Sequence, residues 1–197
     1  MPNLSLSFAS KEASLSVRRF SVRERMSSLF EVCVLAVSER DDLDLDSIVG
    51  KAAAFKVESG TAPPRSPRVW AGLCADMEQV KAEPTGLSTY RLRIVPWLFR
   101  TTLRSSSRIF QHVTIPDIVL RILGEWEIQP EVLLGAKYPA YEYRVQYGET
   151  DFAFLSRLLE EAGISFYFAH GEDSGRAGVE LSRLVLSDAP QDHGSCR

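Results

Sequence analysis

"RVQYGETDFAFLSRLLEEAGISFYFAH", residues 144–170, changes its apolar spacing twice. EYRVQYG (142–148) and ISFYFA (164–169) alternate as strands do, with a two-residue period. Between them Phe152, Leu155, Leu158, Leu159 and Ala162 recur at helical spacing, so this segment predicts a helix with those side chains inward. Thr150 stands where an N-cap belongs, and Gly163 where a helix stops. Glu149 and Asp151 fall at the helix start, where unpaired N–H groups stabilise negative charge by about 0.3–1 kcal/mol each. Glu160 and Glu161 fall in the last turn, three and four residues beyond Arg157, within reach of an ion pair. Acid–base catalysis needs two carboxyls that converge on a cleft with separated pKa values, and acids spread between the two ends of one helix do not supply that. These acids therefore read as the coat of a structural helix.

Upstream, TIPDIVLRILGEW predicts a second amphipathic helix, with Ile115, Ile118, Val119, Ile122, Leu123 and Trp126 on one face. Thr114 is its expected N-cap, and Asp117 lies near the positive end of the dipole. With VELSRLVLS (179–187) as a further strand after the polar turn HGEDSGRAG, the second half reads as mixed α+β.

The first ninety residues read as strands. In VRRFSVRERM, Phe20, Val22 and Met26 share one face and Arg19, Ser21, Arg23 and Arg25 the other. SLFEVCVLAVS (28–38) is apolar on both faces, which predicts a deeply buried strand or one whose outer face meets a partner. ERDDLDLDSIVG is an acidic connection ending in Gly50, and KAAAFKVES, RVWAGLCADMEQV (68–80) and STYRLRIV (88–95) continue the strand pattern. SGTAPPRSP (59–67) is the clearest loop, because its prolines cannot donate to a sheet. Short strands at this spacing predict a small barrel or sandwich.

Composition narrows the function classes. A net charge of −3 gives no general attraction to nucleic acid or anionic membranes. No run approaches the length of a membrane-spanning helix, and MPNLSLSFASKEASLS lacks the basic start and apolar core of a Sec signal peptide. Cys33, Cys74 and Cys196 are scattered, as buried or free thiols of a reducing cytosol would be. His112, His170 and His193 have no neighbours at metal-ligand spacing. GxSxG, P-loop and HExxH motifs are absent, and Ser156 has no obvious base. No cofactor, metal or catalytic residue is expected.

YRLRIVPWLFRTTLRSSSR (90–108) is the one basic segment, with Arg91, Arg93, Arg100, Arg104 and Arg108 among Trp97 and Phe99. On a helix, Arg100, Arg104 and Arg108 would form a stripe able to contact single-stranded nucleic acid. The net negative charge favours a solvated or partner-facing stripe instead. A hydrolase built on Glu149, Asp151 and His170 is the weaker of the two alternatives outside the structural class.

"IVPWLFRTTLRSSSRIFQHVTIPDIVLRIL" and "YRVQYGETDFAFLSRLLEEAGISFYFAH" together resemble the N-terminal hub region of VgrG, the spike protein of type VI secretion systems. The pieces that carry the resemblance are Pro96 and Trp97 with the leucine after them, Arg108, Phe110 and Gln111 of RIFQ, Asp117 of TIPDI, and Gln146, Tyr147, Asp151, Phe152, Arg157, Leu158, Glu161 and Gly163 of the 144–170 block. "FSVRERMSSLFEVCVLAVS", "DLDLDSIVG" and "RVWAGL" fit the family's first barrel more loosely. The resemblance implies a mainly β fold with an α+β insertion: a phage tail hub-like β-barrel over 1–95, an α+β hub subdomain over 96–190, and a polar tail at 191–197. It implies a noncatalytic structural hub, assembled as a homotrimer whose barrels meet the hexameric Hcp tube, and contacts with baseplate proteins. A hub of a contractile phage tail or phage-derived particle shares the same implied fold. The family's second barrel, oligonucleotide-binding-type domain and β-helix spike lie outside these residues, so either a fragment or a truncated relative is expected, and effector attachment is implied for the missing C-terminal parts. The implied location is the bacterial cytoplasm during assembly, followed by secretion or delivery into a target cell without a Sec signal.

Overall fold

The computed structural model describes residues 3–58, 67–170 and 182–189. Most of the loop 59–67, the turn after His170, and the tail with His193 and Cys196 lie outside the described residues. The chain divides into two compact units. Of the described residues, the first unit takes 3–24, 29–58, 67–97, 170 and 182, and the second takes 25–28, 98–169 and 183–189.

The first unit is one antiparallel sheet of six strands. They are β1 (Asn3–Phe8), β2 (Ser16–Arg23), β3 (Glu31–Ser38), β4 (Ala52–Glu58), β5 (Arg68–Lys81) and β6 (Ser88–Val95), in the spatial order β1-β4-β5-β6-β3-β2. The sheet curls so that β1 and β2, at opposite ends of that order, contact one another. Its concave side is the core, filled by Val32, Val34, Phe55, Trp70, Leu92 and Ile94. Gly72 on β5 is obligatory, since a Cβ there would lie 1.9 Å from the Val95 carbonyl oxygen. Tyr90 is buried, and its hydroxyl donates to the Arg40 carbonyl at 2.9 Å, anchoring the acidic connection to the sheet.

Two expectations need correction here. In β3, Val32, Val34 and Ala36 are fully buried, but Cys33, Leu35 and Val37 on the other face are only half-covered. The strand is therefore sided although both faces are apolar, which corrects the deeply buried alternative and does not contradict the partner-facing one. In β2 the phase of alternation is right, because Phe20 and Val22 sit opposite the core residues Val34 and Val32. Their depth is not: Phe20 is 39% exposed and packs on Phe55 with ring centroids 4.9 Å apart, while Met26 lies beyond the strand end and is exposed. A strand with only one ladder neighbour has less of the sheet to cover it.

Residues 98–102 of the second unit belong to a 3₁₀ turn, Trp97–Thr102. The unit's further elements are β7 (Ser105–Thr114), α1 (Ile115–Glu125), β8 (Glu131–Leu133), β9 (Ala140–Thr150), α2 (Asp151–Glu161), β10 (Ser165–Ala169) and β11 (Arg183–Ser187). β7 and β9 pair as a long antiparallel ribbon, and β10-β11-β8 form a small mixed sheet. Each helix follows directly from a ribbon strand, capped by a threonine: the Thr114 hydroxyl accepts from the Asp117 amide at 3.3 Å, and that of Thr150 from the Ala153 amide at 3.1 Å. Both helices end alike. After α2, Gly163 at φ +68° donates to Glu160 and Ile164 donates to Leu159; after α1, Glu127 at φ +58° takes the glycine's place. The inward face of α2 differs from the sequence expectation in one respect. Phe154 is fully buried, stacked 5.8 Å from Phe110, whereas Phe152 and Ala162 are half-buried.

Candidate functional site

The residues singled out from the 96–163 region cluster most densely at the start of α2. Asp151, the first residue of that helix, has no exposed surface. An ionised carboxylate in such a place is tolerated only if its oxygens are filled by donors. One oxygen, Oδ1, accepts from Arg108 Nη2 at 2.7 Å and Gln146 Nε2 at 2.9 Å. The other, Oδ2, accepts from Arg104 Nε at 2.7 Å and Trp126 Nε1 at 2.9 Å.

Each donor is brought by a different local rule. Arg108 and Gln146 face each other across the β7–β9 ladder, and the Arg108 Nε also donates to Gln146 Oε1 at 3.0 Å. Arg104 precedes β7, and its carbonyl accepts from the Asp151 amide at 3.0 Å. Trp126 is the C-cap residue of α1. Just before it, Glu125 takes the remaining guanidinium edges: both its oxygens lie 2.9 Å from Arg108 Nη1, and it pairs with Arg104. Arg104 stacks over the Trp126 ring at 4.7 Å. Two arginines thus meet two carboxylates, so the knot carries no net charge.

Burial alone pushes the Asp151 carboxyl toward its neutral form, but the hydrogen bonds from Gln146, Trp126 and Arg104 and the charge of Arg108 outweigh it. Its pKa lies below the ordinary value of 3.8. A carboxylate with both oxygens filled, no exposed surface and a depressed pKa is a poor proton shuttle and a good structural anchor.

The arginine stripe expected of a helix does not form. The 3₁₀ turn ends at Thr102 and β7 begins at Ser105, so Arg104 and Arg108 lie on non-helical backbone and turn toward Asp151 and Glu125. Neither a nucleic-acid stripe nor a solvated face describes them. Arg157 also differs from expectation: it pairs with Glu149 at 2.6 Å and donates to the Val145 carbonyl, while Glu161 pairs with Arg144 and Glu160 is exposed. Ser156 has no hydrogen-bond partner for its buried hydroxyl, and it lines an apolar pocket with Leu98, Phe152, Leu159 and Phe166.

The other named positions are scattered. Pro96 is buried after β6, and Trp97 opens the 3₁₀ turn. Phe110 and Leu158 are core residues. Asp117 accepts from the Thr114 hydroxyl at 2.6 Å. Gln111 and Tyr147 are exposed on the ribbon.

His170, which looked isolated in sequence, has partners far along the chain within the first unit. Its Nε2 is 2.7 Å from Glu24 Oε1 and its Nδ1 is 2.9 Å from the Ser182 hydroxyl. The Ser182 hydroxyl already accepts from the Ala71 amide at 3.0 Å, and Glu24 also accepts from Trp70 Nε1 and Arg68. The hydrogen bond from His170 is the leading reason that the Glu24 pKa is lowered. Ser182 and Ala71 exchange a second, backbone hydrogen bond, so this cluster pins the chain to the start of β5. Glu149 and Asp151 are held by arginines and His170 by Glu24, so the three do not form a hydrolytic site. Among the described residues, no three His, Cys, Asp or Glu side chains are arranged to hold a metal ion.

Known proteins share this arrangement of strands and helices. Type VI secretion spike protein VgrG1b of Pseudomonas aeruginosa is 35% identical over 184 residues, which is 92% of this chain and 23% of the relative. VgrG1c of the same organism is 34% identical over 182 residues, 92% of this chain and 24% of the relative. The chain therefore spans about a quarter of the length of these curated relatives. An Escherichia coli component of the type VI secretion system, itself similar in structure to the T4 tail proteins gp27 and gp5, superposes with a TM-score of 0.79 at 28% identity, covering 93% of this chain and 49% of that one. A prophage tail protein of Shewanella oneidensis shares the fold, with a TM-score of 0.60 at 12% identity over 95% of this chain and 53% of the other. The family described as phage tail baseplate hub (GPD) matches residues 23–197, and the chain belongs to that family.

Proposed function

We propose that this chain is the structural hub portion of a type VI secretion spike: a noncatalytic trimeric adaptor between the hexameric Hcp tube and the puncturing tip. Similarity to spike proteins over 92% of the chain carries the reading. The Asp151 knot supports it, since this fully buried carboxylate is spent on fixing α1, α2 and the ribbon together and leaves no free acid–base pair there. In this reading the motif residues that are buried or paired, such as Arg108, Phe110, Gln146, Asp151 and Leu158, maintain the fold. Assembly takes place in the bacterial cytoplasm, followed by export on the tube, and baseplate proteins are further partners.

Likeness to the prophage tail protein favours one second reading, a hub of a contractile phage tail or phage-derived particle. Neighbouring genes separate the two. For the first reading, the purified chain is mixed with Hcp hexamers and examined by native mass spectrometry. The expected species contains three copies of the chain on one hexamer. Failure of trimers to bind Hcp over a concentration series would remove the tube-adaptor role.

A further inference from the structure

The two compact units are not consecutive stretches of chain. Residues 25–28, between β2 and β3, belong to the second unit, and His170 and Ser182, between β10 and β11, belong to the first. Each piece is fastened inside its host. In the second unit, the Ser27 amide donates to the Phe166 carbonyl at 2.8 Å, and the Phe166 amide donates to the Ser27 hydroxyl at 3.4 Å. Ser27 adopts a φ of +51° there, a left-handed backbone that residues other than glycine seldom take. In the first unit, the Ser182 amide donates to the Ala71 carbonyl at 2.9 Å, and the Ala71 amide donates to the Ser182 hydroxyl at 3.0 Å. The His170 ring, held by Glu24 and Ser182, has its centroid 5.7 Å from those of Phe30 and Trp70.

We infer that this exchange of segments couples the two units in unfolding, so that neither opens without the other. The crossings have no slack. Ala169 ends β10 and His170 already belongs to the first unit, while Ser182 belongs to the first unit and Arg183 begins β11. Residues 25–28 leave the first unit after Glu24 and rejoin it at Leu29, just before β3. One residue of extended chain spans only about 3.3–3.6 Å, so such a crossing has no spare length to play out when one side opens. Domains that open separately are joined instead by exposed linkers that few contacts cross. Unfolding of β11 would also draw Ser182 away from the sheet. Ala71, only 2% exposed, would then lose the partners of both its amide and its carbonyl. The coupling is a property of the fold and does not depend on which assembly the chain serves.

Native-state hydrogen exchange of the 197-residue chain in rising denaturant, read by mass spectrometry, tests this. Peptides from β5 report the first unit and peptides from α2 the second. In the wild type both should open at the same denaturant concentration. Gly72→Ala acts inside the sheet, yet it should lower the opening of α2 by as much as that of β5. The double variant His170→Ala/Ser182→Ala cuts the side-chain fastenings, and in it β5 should open at lower denaturant than α2. Separate wild-type transitions, or an α2 that opens unchanged in Gly72→Ala, would overturn the coupling. A double variant whose two units still open together would overturn the exchanged segments as its cause. Should that variant not fold, Ser182→Ala alone takes its place, with the same two outcomes.

Discussion

On the six-stranded sheet, Arg91 reaches Glu78 at 2.6 Å and Arg93 reaches Asp76 at 2.7 Å, each directly across from its partner on the neighbouring strand and each partly open to water. In the second unit, Arg104 and Arg108 converge on Asp151, which has no exposed surface, and share Glu125 at the rim. The same two residue types thus do different work. Exposed cross-strand pairs gain little, because water screens them and two long side chains must be immobilised. A buried carboxylate with four donors is different: it need not stabilise more than an apolar replacement, but losing either side leaves an uncompensated polar group in the interior.

Asp151→Asn should have the largest effect, a loss of about 3–5 kcal/mol in denaturant unfolding. The amide supplies one acceptor at best and presents its own N–H groups to donors already in place. Acid adds a signature. Because the folded pKa of Asp151 is depressed, its stabilisation is fully present above the ordinary value of 3.8 and is lost as pH falls through the folded value. A melting-temperature series from pH 6 downward should therefore fall less steeply for Asp151→Asn than for wild type, and parallel curves would assign the acid sensitivity elsewhere. Gly72→Ala comes next, at about 2–3 kcal/mol, since the added methyl meets a carbonyl oxygen and the β5–β6 strands must separate. A loss this large in the sheet unit, with its surface charges intact, would show that close backbone approach matters there more than ion pairing. Arg91→Ala should be smallest, below about 0.5 kcal/mol by the same unfolding measurement. A loss comparable with that of Asp151→Asn would abolish the distinction between the units.

The parts of the molecule legible in sequence are those set by local rules. Thr114 and Thr150 cap the helices and Gly163 ends one, because capping depends on residues a few positions apart. The strands of the first unit follow from two-residue alternation, but alternation gives the face and not the depth, which is why Phe20 and Met26 are more open than their spacing suggests. The knot was hidden for another reason. Arg104 and Asp151 are 47 positions apart, and the four-residue interval between Arg104 and Arg108 imitates a helix although β7 carries the second of them. His170 and Glu24, 146 positions apart, form another pair that no local pattern announces. The resemblance through Arg108, Gln146 and Asp151 named the positions without their contacts; the β7–β9 register is what joins them.

Temperature gives the Asp151 knot a further consequence. Hydration of charged groups becomes less favourable on warming, so the penalty for holding those groups out of water shrinks, while stabilisation from apolar burial levels off. The knot therefore carries a growing share of the second unit's stability as the protein warms, and Asp151→Asn should cost relatively more near the melting temperature than in the cold.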